Sequence, residues 1–252
     1  MYHNSRYSTI NEMKIYPICT VLALSSSVRG HYLFGRLILN GKWTKTWEYV
    51  REIEPRADST PELASVYPLT DPDSVDLRCG RNASDFQGIV KTATVQAGDL
   101  VGIAAGESML QGDVRPWMYH PGFASAWLSK APSDNLGAYT GDGDWFKILS
   151  VTNRTEQSLN FSDPWAAKYY DQFKAIWGTY RLDSYNFTIP KATPPGKYLL
   201  SAGIGAPAPM VKIPGIYKRD QSDVYFDVYN YALTHNYSVN DFIPPAPVVW
   251  AG

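Results

Sequence analysis

Two histidines, far apart in the chain, are of a type that could build a metal site. His31 opens the run "HYLFGRLILNGK", and His120 lies in the turn "YHPG" between apolar stretches. What precedes His31 matters. The stretch "KIYPICTVLALSSSV" (Lys14 to Val28) carries a basic residue, an apolar core too short to span a bilayer, and small residues, with Val28 and Gly30 three and one residues before His31. That is the pattern of a secretory leader rather than a membrane helix. Met13, directly before Lys14, reads as its start, and "MYHNSRYSTINE" as an upstream extension. Cleavage after Gly30 would free the α-amine of His31, which could then bind a metal together with its own imidazole. An α-amine with a pKa near ~8 yields its proton far more easily than a lysine does. A second imidazole would complete a T-shaped set of three nitrogens, which suits copper(II). The plainer alternative is a cleavage site that falls before a histidine by chance. Of the two other histidines downstream, His235 in "ALTHNYS" sits beside a glycosylation sequon near the tail, and His120 is the better placed.

The rest of the chain must position those nitrogens. Its formal net charge is −1, and removing the leader takes away Arg6, Lys14 and Arg29 against Glu12, so no basic footprint for nucleic acid exists. Beyond the leader no apolar run is long enough for a membrane span. The expected division is an extension and leader over 1–30, one domain over 31–235 and a short tail over 236–252, too short to be a separate binding module. Tyr, Trp, Pro and Gly are abundant, and apolar residues come in short runs between turn signals. "YLFGRLILNGK", "TATVQAGDLVGI", "AWLSKA", "DWFKILSV", "YNFTIP", "KYLLSAGI" and "SDVYFDVYNYAL" all read as strands. The expected fold class is therefore all-β, a sandwich with long loops. One helical insert is predicted within Ser162 to Tyr180, with Asp163 as cap and Pro164 at the first helical position. Sequons at Asn82, Asn153, Asn160, Asn186 and Asn236 support a secreted, extracellular glycoprotein.

Several motifs occur together in one order: "HYLFGRLILNGKWTKTWEYVR", "SVDLRCG", "TVQAGDLVGI", "YHPGFASAWLSKAP", "GAYTGDGDWFKI" and "FTIPKATPPGKYLL". From His31 to about Leu200 the chain thereby resembles the fungal lytic polysaccharide monooxygenases of auxiliary-activity family 9. The resemblance implies an immunoglobulin- or fibronectin-III-like β-sandwich holding one copper ion. His31, through amine and ring, matches the first ligand of that family's histidine brace, and His120 matches the second. It further implies an external electron donor, peroxide or dioxygen as co-substrate, and a monomer that oxidises C1 or C4 of cellulose or a related β-glucan and so breaks the polysaccharide. Exposed tyrosines stack on the sugar in that family, and Tyr32, Tyr229 and Tyr237 are open choices here.

Past Leu200 the chain departs from the family's pattern. The family's non-ligand histidine beside copper has no counterpart in "SAGIGAPAPMVK", where Ala208 stands near its place. The family's Gln-x-Tyr, whose tyrosine lies axial to copper, matches Asp223-Val224-Tyr225, with Asp223 where the amide is expected; Asp227 to Tyr229 is a rival register. In the first register the usual partner of Cys79 becomes Val228, so the resemblance implies a free thiol facing Val228. An ionised Asp223 only accepts hydrogen bonds where an amide would donate. A copper-binding protein of this fold with impaired oxidation therefore stands as the alternative function, and a misassembled gene region after Leu200 as a third reading. Bland readings hold elsewhere. Trp145, Phe146 and Ile148 are expected in the core, Tyr225 could be a core tyrosine, and Asp142 with Asp144 reads as a tight turn before it reads as a calcium site.

Overall fold

The computed structural model describes residues 32–55, 57–58, 68–86, 88–105, 117–118, 120–203, 211–215, 217–218, 221–222, 224 and 226–252. Two antiparallel sheets face each other. One has β1 (Phe34–Leu39), β2 (Lys42–Trp43), β3 (Leu100–Ala105) and β6 (Ser184–Thr188) in the order β2-β1-β3-β6; the other has β4 (Ala124–Lys130), β5 (Trp145–Val151) and β7 (Tyr198–Gly203) in the order β5-β4-β7. The predicted all-β sandwich with long loops and a short helical insert is the fold observed.

Local chemistry accounts for the elements. The β1–β2 hairpin turns on Asn40 and Gly41, both at positive φ (50° and 74°), the pair of conformations that a two-residue primed turn requires. Alternation then sorts the faces. Val101 and Ile103 of β3 and Tyr185 and Phe187 of β6 meet Ala124, Ala126 and Leu128 of β4 and Ile148 and Val151 of β5 in the interior between the sheets. Strand β4 is buried on its other face too. There Trp127 packs with Trp145, Tyr139, Leu199 and Ile213, under loops that Val211 ties to the edge of β5 through a reciprocal backbone pair with Trp145. Trp145 is 0 % exposed, as its place in "GDGDWFKI" predicts. The preceding aspartates lie in a stretch bent at Gly141 and Gly143 and held by Lys212: Asp144 pairs with Lys212 at 3.2 Å, and the Asp142 carbonyl accepts from the same ammonium at 3.0 Å.

Three readings are corrected. The insert is shorter than Ser162 to Tyr180: α1 covers Pro164–Tyr169, capped by Asp163 with Pro164 at its first position, and a single 3-10 turn follows at Lys174–Ile176. The described residues of "SDVYFDVYNYAL" form no strand. Its second half is the helix α2 (Val228–Thr234), because the Asp227 carboxylate accepts from the backbone N–H groups of Tyr229 and Asn230 and starts a helical turn. Val228, Tyr231 and Ala232 then fall on one side, where Val228 and Tyr231 join an aromatic layer with Phe123, Trp177, Phe226, Val239 and Phe242. Cys79, a free thiol, does not face Val228. It packs in the separate cluster around Trp127 and Trp145.

Candidate metal-binding site

His120 follows a segment anchored on both sides. The N–H of Met118 donates to the Leu182 carbonyl at 2.8 Å and its carbonyl accepts from Arg181 at 2.7 Å, stitching residue 118 to the chain just before β6. Met118 is buried in the inter-sheet core, and Phe123, three residues beyond His120, is buried in the aromatic layer. Trp117 is held in turn by the Arg181 guanidinium, 5.6 Å over its ring, and by the edge of Tyr170. The turn "HPG" therefore spans from one core to the other, and His120 is half-buried at its start.

The imidazole is also held from the side. Its Nδ1 lies 2.8 Å from the hydroxyl of Tyr229, and its Nε2 is buried. Tyr229 comes from the first turn of α2, so the Asp227 cap that starts the helix also sets the direction from which this phenol arrives. Burial, followed by the neighbouring Tyr180 and Asp227, pushes the Tyr229 phenol above its usual pKa and keeps it neutral. On the outer side the Lys174 ammonium lies 5.6 Å over the Tyr229 ring and pairs with Asp171 at 3.4 Å.

Beside this pair runs a groove of about 240 Å³, lined by Pro121, Phe173, Trp177, Tyr229, Leu233 and Tyr237. Phe173 and Tyr237 pack with ring centroids 4.3 Å apart and a tilt of 36° while remaining 54 % and 41 % exposed, so two aromatic rings are partly open to solvent beside the His120–Tyr229 pair. Of the other tyrosines offered as sugar contacts, Tyr32 is partly buried, edge-on to Phe34 and against the core. His235 is not brought to the site. It ends α2, stacked on Tyr231 at 3.8 Å, with its Nδ1 against the Tyr231 carbonyl.

His31, Ala208, Asp223 and Tyr225 lie outside the described residues. Val224 and Phe226, on either side of Tyr225, are not in a strand. Among the described residues no group of three His, Cys, Asp or Glu side chains could hold a metal. A site built on His120 thus requires nitrogens from another source, as an N-terminal amine and ring would supply. The sequence offered Tyr229 as a rival axial residue and as one of three sugar-contact tyrosines, and its contact with Nδ1 was missed. The one available signal was Asp227 as a helix cap two residues earlier.

Comparison with known proteins agrees with this architecture. The family description Auxiliary Activity family 9 (formerly GH61) matches residues 31–206. An "AA9 family lytic polysaccharide monooxygenase G" of Aspergillus tamarii is 31 % identical, with 96 % of this chain and 72 % of that protein aligned. Monooxygenase A of the same family from Aspergillus fumigatus is 32 % identical over 95 % of this chain and 83 % of its own length. Among solved structures, HiLPMO9B superposes with a TM-score of 0.55 at 22 % identity, covering 88 % of this chain and 100 % of that one, which shows the shared fold. The matched region runs from His31 through the His120 turn to the end of β7, and on it the chain belongs to auxiliary activity family 9.

Proposed function

We propose that this chain is a secreted copper-dependent lytic polysaccharide monooxygenase that cleaves a β-1,4-glucan such as cellulose by oxidation at C1 or C4. Its family membership supports a lytic polysaccharide monooxygenase. The observation that carries the reading is the placement of His120, fixed between two cores, Nε2 buried, beside a groove with packed, exposed aromatic rings. His120 Nε2, with the amine and ring of His31, would hold the ion, with Tyr225 as a further ligand and Asp223 near it. When bound, the copper would accept an electron from an external donor and activate peroxide or dioxygen. The protein's part is then to fix the nitrogens, to keep Tyr229 neutral beside His120, and to lay the sugar chain over Phe173 and Tyr237. The leader, the domain limits at 31–235 and the monomeric state belong to the same proposal.

A second reading, a copper-binding protein that oxidises poorly, is favoured by one feature. The described residues around Tyr225 form turns and a helix, where a strand would be needed to hold Asp223 and Tyr225 in alternating register. One experiment separates the two. Protein beginning at His31 is loaded with copper and incubated with cellulose, ascorbate and peroxide, and the products are read by mass spectrometry. Oxidised oligosaccharides are expected, and His120→Ala or one extra residue before His31 should each lower copper affinity by ~10-fold or more, since each removes one of three nitrogens. Tight copper binding without oxidised glucan supports the second reading. Equal copper affinity in the extended protein overturns the brace.

A further inference from the structure

We infer that Asn236 carries an N-linked glycan that stands at the rim of the aromatic groove and holds broad, crystalline glucan faces off it, while a single chain still enters. The attachment site stands on its own; its effect on substrate rests on the proposed sugar groove and deepens that reading. Five sequons are present, and the structure sorts them by what their amides already do. The Asn82 Nδ2 donates to the Glu54 carboxylate at 2.7 Å. Asn186 is half-buried within β6, paired with Gly102, and bonds the Gln157 side chain through its backbone N–H at 2.9 Å and its amide at 3.4 Å. Both amide nitrogens are engaged within the fold. Asn153, Asn160 and Asn236 are exposed, and among the described residues nothing bonds their amide nitrogens. Of the five, Asn236 alone adjoins the groove in the chain, with Leu233 three residues before it and Tyr237 directly after it both in the groove's lining. The turn that presents it is fixed. Helix α2 ends at Thr234, and the Tyr237 N–H returns to the Ala232 carbonyl at 2.6 Å, which leaves Asn236 and Tyr237 at φ of 53° and 54°. Asparagine adopts this left-handed conformation more readily than most residues, and Ser238 completes the acceptor pattern. The donor is an oligosaccharide carried on a lipid diphosphate, met in the secretory pathway. A bond forms between the amide nitrogen and C1 of the sugar as the C1–O bond to the diphosphate breaks; the diphosphate leaves with the electron pair and the amide gives up one proton. The product is bulky and hydrated, and its root lies one residue from the Phe173–Tyr237 pair. A flat crystal face is thereby held away from those rings, whereas one chain can run beside the glycan.

The test uses the full chain secreted from a fungal host, as wild type and as Asn236→Gly, Ser238→Ala and Ser238→Thr. Glycine keeps the left-handed turn without the amide, alanine keeps Asn236 without the hydroxyl, and threonine keeps the whole acceptor pattern. Enzymatic release of N-glycans in heavy-oxygen water converts each glycosylated asparagine to labelled aspartate. Peptide mass spectra should show that label at position 236 in the wild type and in Ser238→Thr only. Adsorption to crystalline cellulose should be ~5-fold tighter for the two forms without the glycan, while binding of a soluble cello-oligosaccharide stays the same in all four. An unlabelled Asn236 in secreted wild type, equal adsorption in all four forms, or a gain in the still-glycosylated Ser238→Thr would each overturn the inference and leave the monooxygenase reading standing. A labelled Asn236 in a protein that oxidises no glucan would overturn that reading and the effect on substrate, while the attachment site stands. A chain that is not secreted would overturn both.

Discussion

Arg51 and Cys79 share one interior neighbourhood beneath the loops that cover β4, and each constrains what the other can do. The Arg51 guanidinium is buried and donates to four main-chain carbonyls, those of Ala83, Ser84, Leu136 and Tyr139, at 2.7–3.0 Å, so it fastens three loop segments at one point. Cys79 lies close enough to feel that charge, yet burial outweighs it and the thiol is pushed above its usual pKa. Because the thiolate is the reactive form, folded protein beginning at His31 should react slowly with iodoacetamide, and the same protein denatured should gain one label without prior reduction. Fast labelling of the folded protein, or none after denaturation, would refute this assignment; intact mass is the readout. The free state of Cys79 was legible because residues 31–252 hold no other cysteine. Its neighbours were not, because the expectation depended on aligning residues 223–228 as a strand. Arg51 in "EYVREIEP" gives no sequence sign that it would be buried, since carbonyl acceptors leave no trace in side-chain types.

At the level of elements, six of the seven runs expected as strands contain one, and the exception lies nearest the site. Runs such as "DWFKILSV" are legible because one sheet face alternates against the core. "SDVYFDVYNYAL" alternates as well, but its apolar spacing also fits a helix, and the capping carboxylate of Asp227 decides between them. The first half of "TATVQAGDLVGI" joins no ladder, because the turn from Gln96 to Asp99, centred on Ala97 and Gly98, delays β3 until Leu100. Since Asp227 starts the element that carries Tyr229, Asp227→Ala should cost about 1 kcal/mol of stability, measured by urea denaturation. It should also weaken copper binding, because the phenol that meets His120 Nδ1 is then held less firmly. A stability loss with copper affinity fully retained would show that the helix can fray without releasing His120.

For the molecule as a whole, the segment after α2 returns across the outer face of the β5-β4-β7 sheet. Lys147 of β5 is 2 % exposed, with its ammonium 5.3 Å over the Trp127 ring and donating to the Pro245 carbonyl at 2.9 Å, while the N–H of Trp250 donates to the Lys147 carbonyl and its ring meets Phe146 edge-on at 5.1 Å. Burial lowers the Lys147 pKa to about 8. An unfolded lysine titrates near ~10.4, so between those values the unfolded chain binds the extra proton and stability rises with pH. Below about 8 the ammonium is charged in both states and its desolvation cost is fully present. From pH 7 to 9.5 the wild type should therefore gain about 2 kcal/mol relative to Lys147→Met, or about 4–8 °C in melting temperature. A difference that stays flat across this range would mean the amine is hydrated. The sandwich was legible because its pattern is written in local alternation, whereas this lid depends on a bond between residues 98 positions apart. A chain made from its N-terminus emerges with Lys147 long before Pro245, so throughout synthesis an amine destined for the interior has no acceptor. The outer face of the sheet can close only after the downstream segment has left the ribosome, and until then water must serve in its place.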